Sequence, residues 1–136
     1  MEWSDVLPHL TGLAHLATVR PDGRPHVSVV ATAIEGETVW IGTSRSSRTA
    51  RNLAERPAAS IMWRPGAEVY VDADVELVDD LDTKRRLWDG GVFPYDPSMF
   101  FGTVDDPDFV LLRLSPRAAV LQTMGRSGPR HERWTA

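Results

Sequence analysis

The chain has 136 residues, 42% hydrophobic and 25% charged, with a net charge of −4; that suffices for one domain with a real core but not for two. It contains no cysteine, which excludes disulfides, thiolate metal sites and a cysteine nucleophile and makes a cytoplasmic location the expectation. The negative balance argues against non-specific nucleic-acid binding, and no apolar run approaches the roughly 20 residues of a membrane-spanning helix, so neither nucleic acid nor membrane is an expected partner.

The opening "MEWSDVLPHL" carries Glu2 and Asp5 and no basic run, so a secretory leader is not expected. Ser4 is placed to cap a short helix through Leu10, closed by Gly12. "LAHLATVR" (Leu13 to Arg20) alternates apolar and polar residues and reads as a strand. "PDGR" is a turn, "PHVSVVATAI" a second strand, "EGE" a second turn and "TVWIGT" a third strand. Short connections make these three an antiparallel meander. Ser46 to Arg56 reads as a helix, with Ala50, Leu53 and Ala54 on its buried face, Arg48, Arg51, Asn52 and Glu55 on its outer face, and Pro57 as its stop. "AASIMWR" and "AEVYVDADVELV" follow as strands four and five, and "LDTKRRLWDGG" as a helical turn or two. Val92 to Asp108 is a loop rich in proline, aspartate and aromatic residues; its apolar content predicts that it folds over the molecule. "FVLLRLSP" and "RAAVLQTM" read as two final strands, and "GRSGPRHERWTA" has the composition of a loop. Six or seven antiparallel strands with one well-placed helix predict a mainly β, closed or nearly closed small barrel in a single domain, residues 1–136.

The stretch "TSRSSRTARNLAERP" (Thr43 to Pro57) crowds hydroxyls and arginines into a helix start. Free N–H groups and the helix dipole attract anions there, and arginine matches phosphate geometry. Two readings stand: a phosphate seat around Ser44, Ser46, Ser47 and Arg48, or a capped surface helix in which Arg51 pairs with Glu55. None of His9, His15, His26 and His131 has a partner at a metal-ligand spacing, so no metal site is expected. Asp105, Asp106 and Asp108 read as a solvated acidic loop. Lys84, the one lysine beside 14 arginines, sits amid charges and is a poor candidate for a desolvated, reactive amine.

The order strand, "RPDGRPHVSVV", strand, "VWIGTSRSSRTARNLAERPAASI" resembles the pyridoxamine 5′-phosphate oxidase-related superfamily of split β-barrels. It is similar in particular to the small bacterial flavin- or deazaflavin-binding members and to the general-stress-protein 26 branch, whose "DDPD-x-x-LL-x-x-x-P" segment resembles "DDPDFVLLRLSP". The likeness covers about Leu13 to Pro116. It implies a barrel homodimer with FMN, or alternatively the deazaflavin F420, in a groove between the chains, and an oxidoreductase acting on a small organic substrate. A non-catalytic flavin-binding protein is the further alternative. The resemblance carries the ring-lining strand onto His26, Val27, Ser28, Val29 and Val30, and the ribityl and phosphate contacts onto Thr43, Ser44, Ser47, Arg48 and Thr49. Thr49 stands where the superfamily has a lysine, a lost charge for which Arg45 or Arg51 is the candidate replacement. Glu68 falls near the position of a partner-chain glutamine, and Trp134 with Arg133 is a candidate cover for the ring. No catalytic side chain is expected, because the cofactor carries the chemistry.

Overall fold

The computed structural model describes all 136 residues, Met1–Ala136. Its seven strands are β1 (Leu13–Val19), β2 (Pro25–Glu35), β3 (Thr38–Ser44), β4 (Ala58–Trp63), β5 (Glu68–Val78), β6 (Phe109–Gly125) and β7 (Gly128–Thr135). The helices are α1 (Trp3–Val6), α2 (Arg48–Glu55), α3 (Leu81–Asp89) and α4 (Ser98–Phe101), and none is long and apolar enough to cross a membrane. The strands pair antiparallel in the order β3-β2-β1-β4-β5-β6-β7, and β3 also pairs with the first half of β6. Six strands therefore close a barrel and β7 extends it by one.

Local chemistry explains the meander. In the β1–β2 turn, Asp22 Oδ1 accepts the Arg24 N–H at 3.0 Å, and Gly23 takes a φ of +86°, a region costly for any residue with a Cβ. Alternation in β5 buries Val69, Val71, Ala73 and Val75, as its sequence predicts. These side chains meet Leu16, Ile61, Trp63, Leu112 and Leu121 in the barrel core. The core's largest member, Trp63, is fully buried and donates its Nε1–H to Thr32 Oγ1 at 3.2 Å. A second cluster of Trp40, Leu87, Phe93, Phe109 and Leu111 lies under α3 and the segment that follows it.

The C-terminal third differs from the sequence expectation in two ways. "FVLLRLSP" and "RAAVLQTM" are one 17-residue strand, β6, and not two. Arg117 is the extra residue at a β-bulge, where the pairing jumps from Ala73↔Pro116 to Asp72↔Ala118. A bulge is where a strand tolerates a proline. The tail is also a strand and not a loop: β7 pairs with β6 from Ala118↔Thr135 to Gly125↔Gly128. Trp134, on this strand, packs on Trp3 at 5.2 Å between ring centroids.

Candidate functional site

The β2–β3 hairpin is only half zipped. Its pairing runs from Glu35↔Thr38 to Thr32↔Ile41 and stops. Beyond that point β3 follows β6, with Gly42, Thr43 and Ser44 opposite Leu111, Val110 and Phe109. The Pro25–Ala31 part of β2 stays with β1 alone. The two strands thus diverge around a groove of about 560 Å³, within the range of small-molecule sites. One wall is the free edge of β2, Ser28 to Ala31; the other is Gly42, Thr43 and Ser44 with Ser47 and Thr49 at the start of α2. Leu13, Tyr95, Phe100 and Phe101 complete the lining.

The hydroxyls of this lining are linked. Ser28 Oγ and Thr49 Oγ1 lie 3.1 Å apart, as do Thr43 Oγ1 and Ser47 Oγ. Ser47 is the N-cap of α2, its Oγ accepting the Ala50 N–H at 3.1 Å. The N–H groups of Arg48 and Thr49 have no protein acceptor. A helix start with unmet donors beside a row of hydroxyls is suited to an anion.

The arginines divide. Arg45 reaches the Asp79 carboxylate and the Pro107 carbonyl. Arg48 and Arg51 pair with no carboxylate; the expected Arg51–Glu55 pair does not form. The faces of α2 also differ from expectation. Asn52 is fully buried and donates from Nδ2 to Thr18 Oγ1 at 3.1 Å, whereas Ala54 is exposed. Thr49 is buried against Ser28.

Of the ten sequence-predicted contacts, Ser28, Val29, Val30, Thr43, Ser44, Ser47 and Thr49 come together around the groove. Arg48 follows at the first position of α2, on the surface. His26 and Val27 stand outside the lining. His26 is opposite Thr18, and Val27 faces a separate depression with His15, Met62 and Tyr70. Glu68 lies on β5, accepting the Tyr70 hydroxyl at 2.6 Å, a bond that raises the tyrosine's pKa. Trp88 packs edge-on against Phe109 and does not line the groove.

The segment 92–108 folds over the groove mouth. Tyr95 and Phe100 meet edge to face at 5.1 Å, and Phe101 rests on Phe109 at 4.8 Å. Burial pushes the Tyr95 phenol above its ordinary pKa. Gly42 makes this packing possible: a Cβ there would stand 3.1 Å from the Phe101 ring. Gly42→Val is expected to displace Phe101 and cost about 1–3 kcal/mol through overpacking. Urea unfolding checks this, and a loss below about 0.5 kcal/mol would show that the Phe101 wall gives way freely. The acidic run has a structural role that its sequence conceals. Asp108 takes the Ser46 N–H on Oδ1 at 3.0 Å and the Ser46 hydroxyl on Oδ2 at 3.1 Å.

The sequence profile described as "Pyridoxamine 5'-phosphate oxidase" matches residues 7–123, most of the chain. The chain belongs to the pyridoxamine 5′-phosphate oxidase family. Among curated members, general stress protein 26 of Bacillus subtilis (strain 168) is 27% identical over 131 residues, 92% of this chain and 89% of the relative. Solved structures with this fold differ in the ligands they are described with. A pyridoxamine 5′-phosphate oxidase-related, FMN-binding protein of Nostoc punctiforme PCC 73102 superposes with a TM-score of 0.68 at 17% identity, covering 100% of this chain and 97% of that one. An F420 reductase gives 0.60 at 29% identity over 79% and 87%. A heme binding protein of Mycobacterium smegmatis gives 0.76 at 20% over 98% and 57%. The family and its flavin-type fold are therefore clear, while the ligand differs from one neighbour to the next.

Proposed function

We propose that this member of the family is an FMN-binding oxidoreductase acting on a small organic substrate, with the cofactor in the half-unzipped β2–β3 groove. The observation that carries the reading is the polarity of that groove. One part offers an unpaired strand edge and apolar or aromatic side chains, suited to a planar ring that also needs backbone hydrogen bonds. The other part offers Thr43, Ser44 and Ser47, the free N–H groups of α2 and the uncommitted Arg48 and Arg51, suited to a phosphate. Arg48 and Arg51 supply the charge that Thr49 lacks. Thr49 holds Ser28 in place, and Phe100 and Phe101 limit water access from the mouth. When bound, a flavin supplies hydride and electron transfer, and the protein contributes orientation and electrostatics.

Dimerisation belongs to the same proposal. Outward-facing residues line up across five strands as Val29–His15–Met62–Tyr70–Val120, with Val27–Ala17–Ser60–Asp72–Ala118 alongside. Leu13, Val27 and Val29 are each more than half exposed, and Leu13 and Val29 also line the groove. A second copy on this face would bury the patch and close the groove. F420 is the second reading, favoured by the 29% identity to an F420 reductase; the same polarity suits it.

The absorption spectrum of the purified protein, before and after incubation with each cofactor, separates the readings. A band near about 450 nm supports a flavin, and one near about 420 nm a deazaflavin. Failure to take up either overturns the proposal. A flavin that binds without turning over any substrate points to a carrier. Sizing should return a dimer burying more than roughly 1,000 Å², and a monomer at micromolar concentration sinks the dimeric part.

A further inference from the structure

The chain's one lysine is buried. Lys84, on α3, has only 4% of its surface exposed, whereas its sequence surroundings suggest a solvated residue. Its Nζ donates to Asp79 Oδ1 at 2.6 Å and lies 5.6 Å from the centre of the Phe109 ring. The other Asp79 oxygen accepts from Arg45. Arg45 stands between β3 and α2, in the short segment that carries Ser44 and Ser47 into the groove. The Arg45 N–H is held by the Asp108 carbonyl at 2.6 Å, next to the grip of the Asp108 carboxylate on Ser46.

A buried ammonium is costly unless paired in a fixed geometry. Here the pair does more than neutralise itself. Lys84 is packed on one side by Phe109, against which the groove-lining Phe101 rests. On the other side it fixes the carboxylate that anchors Arg45. The half-exposed Asp79 is thus tied to the interior at one oxygen and to the groove rim at the other.

We propose that Lys84 is a positioning residue for the phosphate seat. Acting through Asp79 and Arg45, it sets the Ser44–Ser47 segment so that the hydroxyls and the first N–H groups of α2 converge. This rests on the FMN reading above. It assigns to a residue outside the groove the geometry on which phosphate recognition depends.

The test compares Lys84→Met, Arg45→Met and the double variant with the wild type. Two readouts are needed: hydrogen exchange at the Arg45, Ser46 and Ala50 amides, and fluorescence titration with FMN and with riboflavin, which lacks the phosphate. Each single variant should exchange about tenfold faster at those amides, with β1 and β4 unchanged. Each should bind FMN about tenfold more weakly and riboflavin within twofold of wild type. The double variant should be no weaker than either single one, because the residues act in series.

Unchanged exchange at these amides overturns the proposal. Equal loss of FMN and riboflavin also overturns it, by showing a merely structural role, as do losses that add in the double variant. A wild type that binds no FMN defeats the cofactor reading itself, and the positioning role falls with it. A wild type that binds FMN beside variants that bind equally well defeats only the role of Lys84. If Lys84→Met does not fold, Arg45→Met, at a half-exposed position, carries the same comparison.

Discussion

Arg48→Ala should weaken FMN binding by about ten- to a hundredfold, the worth of a charge-assisted bond to phosphate. Riboflavin binding should stay near wild type, because only the phosphate is addressed. Arg48 holds the first position of α2 and has no carboxylate partner to keep it elsewhere. Arg51→Ala should have a smaller effect, since Arg51 lies further along the helix and dipole effects fade within the first turn. Both variants should fold, because the buried face of α2 is Thr49, Ala50, Asn52 and Leu53. Titration of the apo-protein with both ligands at two salt concentrations is the measurement. Equal losses for FMN and riboflavin would remove Arg48 from the phosphate seat.

The second large effect is on stability. Trp63→Ala empties the largest fully buried side chain of the barrel and removes the hydrogen bond to Thr32. Large-to-small changes of this kind cost about 3–5 kcal/mol, a large part of the total of about 5–15 kcal/mol for a typical domain. Trp63→Phe should cost much less; it keeps a ring but leaves Thr32 Oγ1 without its donor. Urea unfolding of the three proteins ranks them. A Trp63→Ala midpoint equal to wild type would mean that the barrel interior refills the space.

How far the sequence discloses the molecule depends on how local the cause is. The β1–β2–β3 meander is legible because alternation and "PDGR" act within a few residues. Seven of the ten predicted contacts converge on the groove because strand and helix-start signals also act locally. Asn52 is misplaced because its burial depends on Thr18, 34 residues away, which no helical periodicity reports. Ala54 is small enough to sit on either face, so its apolar character decides nothing. Pro116 reads as a strand end because the bulge that accommodates it is a property of the pairing with β5. The tail reads as a loop because its glycines, Pro129 and arginines mask a strand supported by β6 and by Trp134 on Trp3. Lys84 looks solvated because its neighbours in sequence are charged, while its neighbours in space are Asp79 and Phe109. The open half of the β2–β3 hairpin is invisible for the same reason, since β3 leaves β2 to follow a strand that lies some 70 residues on.

The unzipped edge of β2 also bears on how the chain behaves while it is being made. A strand edge with unmet backbone groups is a template for a foreign strand, and proteins usually guard such edges with charge or proline. The free side of β7 has that protection in Pro129, Arg130, Glu132 and Arg133. The Ser28–Ala31 edge has none: it carries no charged residue, and its exposed Val29 makes it more adhesive. A chain released from the ribosome therefore presents its stickiest backbone along the wall of the open groove. If the groove takes FMN as proposed, overexpression that outruns cofactor supply should send material into inclusion bodies through this edge, and riboflavin in the growth medium should reduce that loss.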